Sequence, residues 1–162
     1  MCHCASTLAL GGEAVNRGDQ ARASLSLALT IARQLLDEIV AHAREEAPNE
    51  CCGMVAGRDG RATRVYRARN AEASPLRYTI HPQDQFRITM EISERGDEIA
   101  AIYHSHTSSP AEPSQTDINL AENWPDPLYL ICSLAEPEAP SVRGFSIRDR
   151  QVEEVELNVD ER

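Results

Sequence analysis

Apolar residues in this chain change period within a short distance, and that change limits the folds open to it. They recur at Ile31, Leu35, Leu36, Ile39, Val40 and Ala43, the spacing of one helix face. Pro48 and Asn49 end that pattern. Glu50 then opens a compact apolar run over 51–57, closed by the turn signal Asp59-Gly60. A helix that leads straight into a buried strand and a tight turn reads as part of a mixed α and β chain, with a sheet flanked by helices.

The remaining segments extend that reading. Residues 25–30 fit a short strand ahead of the first helix, and 61–69 fit the return strand of a hairpin. Residues 77–80 read as another short strand. Pro82 suits the start of a second helix to about Arg95, which Gly96 stops. The run 99–103 reads as a buried strand that delivers His104 at its end. A loop rich in Ser and Pro follows, then a short helix from Ser114 to about Glu122, then three strands over 128–134, 141–147 and 152–159. No internal repeat is visible. The 162 residues suit one domain, spanning 25–162. Residues 1–24 show no sustained period and read as a flexible leader. Its Cys2, His3 and Cys4 are too crowded on a loose end to close a metal site.

Charge and cysteine usage narrow the function classes. The formal net charge is -10, and all 16 basic residues are arginines. The absence of lysine removes Schiff-base chemistry and the phosphate-binding P-loop. An acidic chain repels a phosphate backbone, so no nucleic-acid partner is expected. Arg58, Arg61, Arg64, Arg67 and Arg69 form the most basic stretch and read as a solvated strand face. Cys2, Cys4, Cys51, Cys52 and Cys132 are odd in number and irregular in spacing, which disfavours a disulfide scaffold and points to a reducing cytoplasm. No apolar run approaches the length of a membrane span, and no membrane association is expected.

The chemistry concentrates in His104-Ser105-His106, seven further residues, Ser114, two more, and Asp117. Two histidines leaving a strand can turn toward one point where the strand end bends into a loop, and a carboxylate on the next helix adds a third ligand. Three protein ligands with a fourth position open suit a catalytic zinc, whereas structural zinc is closed by four. Such an ion lowers the pKa of its water to about 7. Glu50, set among apolar neighbours, gains proton affinity and can serve as general base and then acid. Ser114 can present its hydroxyl to an oxyanion. Each residue also has a plainer reading. Ser114 and Asp117 have the spacing of a helix capping box, and that role can coexist with a metal-binding one. Cys52 and Cys132 read as core thiols, and His42 and His81 as structural or solvated.

The run Ile102-Tyr103-His104-Ser105-His106-Thr107, followed by Pro113-Ser114 and Asp117, resembles the motif of the JAMM (MPN-plus) zinc metallopeptidases. Glu50, in Asn49-Glu50-Cys51-Cys52-Gly53, matches the upstream glutamate of that family. The resemblance covers about residues 25–159. It implies a curved mixed sheet packed by helices, an α/β (α+β) fold similar to cytidine deaminase. It implies Zn2+ on His104, His106 and Asp117, with Glu50 as acid/base and Ser114 as oxyanion helper. Among family members the chain is similar to compact bacterial peptidases that cleave amides at the C-terminal glycine of ubiquitin-like sulfur-carrier proteins. One of these releases cysteine from its carrier. The implied activity is hydrolysis of an amide or isopeptide bond, with a ubiquitin-like or sulfur-carrier protein or its conjugate as partner, by a monomer or homodimer. A catalytically silent scaffold of the same fold is the alternative, and silent members usually lack a ligand that this chain has.

Overall fold

Asp59 and Gly60 both adopt positive φ, 51° and 76°, and close the tight hairpin that their sequence announces. In the computed structural model, which describes residues 28–162, that hairpin joins β2 (Cys52–Arg58) to β3 (Arg61–Ala68). Ahead of it lie β1 (Ala28–Ala32) and α1 (Arg33–Glu46). After it come α2 (Pro82–Glu94), β4 (Glu98–His106), α3 (Gln115–Ala121), β5 (Leu128–Ser133), β6 (Ser141–Arg148) and β7 (Gln151–Asp160). The leader read over 1–24, and the first three residues of the strand read from 25, lie outside the described residues.

The seven strands form one mixed sheet in the order β1-β3-β2-β4-β5-β6-β7. It closes on itself because β1 runs parallel to β7 from Ala28↔Glu156 to Ala32↔Asp160 and meets β3 at Thr30↔Arg61. β4 and β5 are also parallel, while β2 is antiparallel to both β3 and β4. Alternation along the strands splits the core in two. Cys52, Met54, Ile102, Tyr129, Ile131 and Phe145 pack on one face with Ile88 and Ile92 of α2 and Ala121 of α3. Val55, Ala101, Tyr103, Leu130 and Cys132 pack on the other with Leu36, Ile39 and Ala43 of α1. Apolar cover on both faces explains why 51–57 reads as a continuous apolar run rather than an alternating one.

Three local expectations change. Ile31 belongs to β1, not to the helix face, because pairing with Val159 carries that strand to Ala32. Residues 77–80 form no strand; the segment makes a single bridge, Asn70↔Ile80, since the Asn70 side chain occupies the backbone groups a ladder would use. β4 does not end at Tyr103. It continues through His106, because β5 runs beside it in the register His104↔Ile131, Ser105↔Cys132, His106↔Ser133.

Candidate metal centre

His104 and His106 therefore meet through strand alternation: residues two apart share a face of β4. No bend is needed, which corrects the expectation that the strand end turns into a loop to bring them together. Asp117 reaches the same point from the first turn of α3. Ser114 caps that helix, its Oγ accepting from the Asp117 N–H at 3.1 Å while its own N–H donates to Asp117 Oδ2 at 2.8 Å. The capping box and the ligand position are thus one structure.

The converging atoms are close and evenly spaced. His104 Nε2 lies 3.2 Å from His106 Nε2 and 3.2 Å from Asp117 Oδ1, and His106 Nε2 lies 3.3 Å from Asp117 Oδ2. Ligands about 2.05 Å from a tetrahedral zinc would stand roughly 3.3 Å apart, which matches the spacing of the two Nε2 atoms from each other and of each from one oxygen of the Asp117 carboxylate. His104, His106 and Asp117 are buried and form the one His/Cys/Asp/Glu group among the described residues with ligand atoms that converge this way. His106 Nδ1 lies 2.8 Å from Pro110 O, a bond in which the ring nitrogen donates, so Nε2 keeps its lone pair for a metal. His104 Nδ1 is buried without a partner, and the ring of Tyr78 stacks on the imidazole at 4.4 Å.

Electrostatics separate the groups. Burial works against the Asp117 charge, but the His104 and His106 rings beside it outweigh burial and hold the carboxyl well below its usual range. Burial likewise lowers His104. At His106 burial pulls down, while Asp117 and the Pro110 carbonyl pull up and prevail. Glu50 is 4% exposed, and its Oε2 has no partner. Burial raises that carboxyl to about 7, with the nearby His106 lowering it and Asp117 raising it. All five residues singled out from the sequence therefore gather at one end of β4.

The other titratable residues lie elsewhere in the structure. Cys51 and Cys52 enter opposite cores, and burial raises Cys51 to about 12, Cys52 further, and Cys132 to about 11, so all three stay thiols. His42 is buried against the Tyr103 hydroxyl at 2.8 Å, and His81 caps α2. Four of the exposed arginines on and beside β2 and β3 are paired, Arg58 with Asp97, Arg61 with Asp160, Arg67 with Glu45 and Arg69 with Asp84. Tyr78 and Pro110 touch the histidines without being singled out by the sequence. Their residue types and spacing carry no chemical signal; only their tertiary contacts do.

A mixed seven-stranded sheet with three helices, bearing its His-His-Asp group on β4 and α3, defines an α+β domain of the JAB class. The chain belongs to the family of prokaryotic homologs of the JAB domain, which matches residues 32–148. It is similar to the CysO-cysteine peptidase of Mycobacterium tuberculosis, with 37% identity over 133 residues, 81% of this chain and 90% of the relative. It is also similar to the desampylase of Haloferax volcanii, with 39% identity over 112 residues, 65% of this chain and 80% of the relative. The solution structure of a Desulfitobacterium hafniense protein superposes with a TM-score of 0.76 at 36% identity, covering 83% of this chain and 94% of that one.

Proposed function

We propose that this chain is a zinc-dependent peptidase that hydrolyses an amide or isopeptide bond at the C-terminal glycine of a ubiquitin-like or sulfur-carrier protein. The observation that carries the reading is the convergence of His104 Nε2, His106 Nε2 and the Asp117 carboxylate at 3.2–3.3 Å, with buried Glu50 close enough to feel the charges of His106 and Asp117. Relatives with a peptidase name and a desampylase name support the reaction class and the kind of substrate. Three free, buried thiols among the described residues support a reducing compartment such as the cytoplasm.

Zinc on His104, His106 and Asp117 would supply Lewis acidity, lowering the pKa of a bound water and polarising the scissile carbonyl. The protein's own groups do the rest. Pro110 fixes the His106 tautomer, and Asp117 is fixed in turn by the Ser114 cap. Glu50 takes a proton from the attacking water and returns it to the leaving amine, a task suited to a carboxyl raised to about 7. The Ser114 oxygen is engaged as an acceptor by the Asp117 N–H, which leaves its hydroxyl proton free to donate to the oxyanion.

The test is elemental analysis of wild type beside His104→Ala, followed by cleavage assays on carrier-protein conjugates. One zinc per chain in the wild type, lost in the variant together with cleavage, is the expected result. A folded, zinc-supplemented wild type without metal would overturn the peptidase and favour the silent scaffold.

A further inference from the structure

Glu50 lies just outside the sheet: β2 begins at Cys52, so no ladder bonds hold the backbone of the residue read as the acid/base. Its two backbone groups are taken instead by the segment between β3 and α2. The Glu50 N–H donates to Ser74 O at 2.8 Å, and its carbonyl accepts from Asn70 Nδ2 at 3.1 Å. Asn70 does more than that. Nδ2 also donates to Arg77 O at 3.1 Å, and Oδ1 accepts from the Glu72 N–H at 3.0 Å and the Thr79 N–H at 3.1 Å. All four capacities of the amide are met, two carbonyls on the nitrogen and two N–H groups on the oxygen. The opposite amide orientation would put carbonyl against carbonyl and N–H against N–H, so the network itself fixes which end is which. The same segment carries Tyr78, whose ring covers His104.

We infer that Asn70 is a positioning residue of this site: one side-chain amide ties the Glu50 backbone to the segment that carries Tyr78 onto the metal-binding histidine. The inference rests on the reading of Glu50 as acid/base. Asn70 touches no reacting atom; it acts by fixing where the Glu50 carboxyl sits relative to His104. Ser105 adds a second tie from the strand side, its Oγ accepting from the Cys51 N–H at 2.8 Å and its N–H donating to Cys51 O at 3.1 Å. Glu50 and its neighbour Cys51 are thereby held between the 70–80 segment and β4, and Asn70 supplies the side-chain hydrogen bond to Glu50 from the 70–80 segment.

Asn70→Asp separates positioning from loop building. Its carboxylate keeps the acceptor for Glu72 and Thr79 but sets an oxygen against the carbonyls of Glu50 and Arg77. Asn70→Ala removes all four bonds. Both proteins, purified with zinc, would be assayed on a carrier-protein conjugate and followed by amide hydrogen exchange read residue by residue. The expected result is a kcat lowered about 10–100-fold in both variants, with KM within a few-fold of wild type and zinc content unchanged. Exchange at the Glu50 amide should rise in both, while Thr79 stays protected in Asn70→Asp. Wild-type kcat and wild-type Glu50 protection in Asn70→Asp would overturn the inference, leaving Asn70 a turn residue only. Should the wild type cleave no conjugate, the peptidase reading falls by itself, and Glu50 exchange still decides the role of Asn70.

Discussion

Glu50 shows how a single residue can be set against the stability of its own fold. Its carboxyl is moved by burial from 4.5 to about 7. Below pH 4.5 both folded and unfolded chains hold the proton. Between 4.5 and 7 only the folded chain holds it, and above 7 both release it. The stability tied to the protonated form is therefore full below 4.5 and lost as pH rises to 7, at about 1.4 kcal/mol per unit. Glu50→Gln mimics that neutral form at every pH. Metal-free Glu50→Gln is expected to exceed metal-free wild type by about 3 kcal/mol at pH 8 and by almost nothing at pH 4, read from urea unfolding with a chelator present. The zinc-loaded variant should keep its metal and lose turnover by about 10²–10⁴-fold. Equal stabilities at pH 8 would mean that Glu50 is not desolvated as the fold places it.

At the scale of elements, a short helix and a short strand carry most of the precision. α3 is seven residues long, too short to be stable by itself, and its start is fixed by the Ser114–Asp117 capping box. Ser114→Ala should cost about 1 kcal/mol in thermal unfolding and, by removing the Oγ that holds the Asp117 N–H at the start of α3, weaken zinc binding about tenfold in a chelator competition. Turnover should fall further than metal loss explains, since the hydroxyl proposed as oxyanion donor goes as well. β2 is constrained by contact. A Cβ on Gly53 would stand 2.2 Å from the Tyr66 carbonyl oxygen and 2.4 Å from the Tyr103 ring. Gly53→Ala is expected to destabilise the fold by more than about 2 kcal/mol, with the midpoint of denaturant unfolding as the check. Near-wild-type stability would show that β2 and β3 can part without cost.

At the scale of the molecule, the closed sheet turns a local ligand set into a rigid site. Cys52, His104 and Ile131 lie level across β2, β4 and β5, so a shift of any one strand would misplace the histidines. Metal binding should in turn stabilise the whole fold. Free zinc at about a hundred times its Kd is expected to add about 2.7 kcal/mol to the wild type and nothing to His104→Ala, read from melting curves with zinc and with chelator. Residue types and short-range spacing determined much of this protein from the sequence alone. The helix face at Leu36 and Ile39, the Asp59-Gly60 turn, the Ser114 cap and the His104, His106 and Asp117 spacing are local patterns written in neighbouring residues, whereas Glu50, far ahead of them in the chain, was legible from its apolar setting and from the family motif. Tertiary structure decided the rest. Whether His104 and His106 meet by bending or by alternation depends on how far β5 extends beside β4. Whether Ile31 is helix or strand depends on β7, more than a hundred residues away in the chain. Asn70, Tyr78 and Pro110 join the site only through contacts that strand register and chain closure create, and no spacing rule reports such contacts, because the hydrogen bonds and packing that make them join residues that only the folded chain brings together.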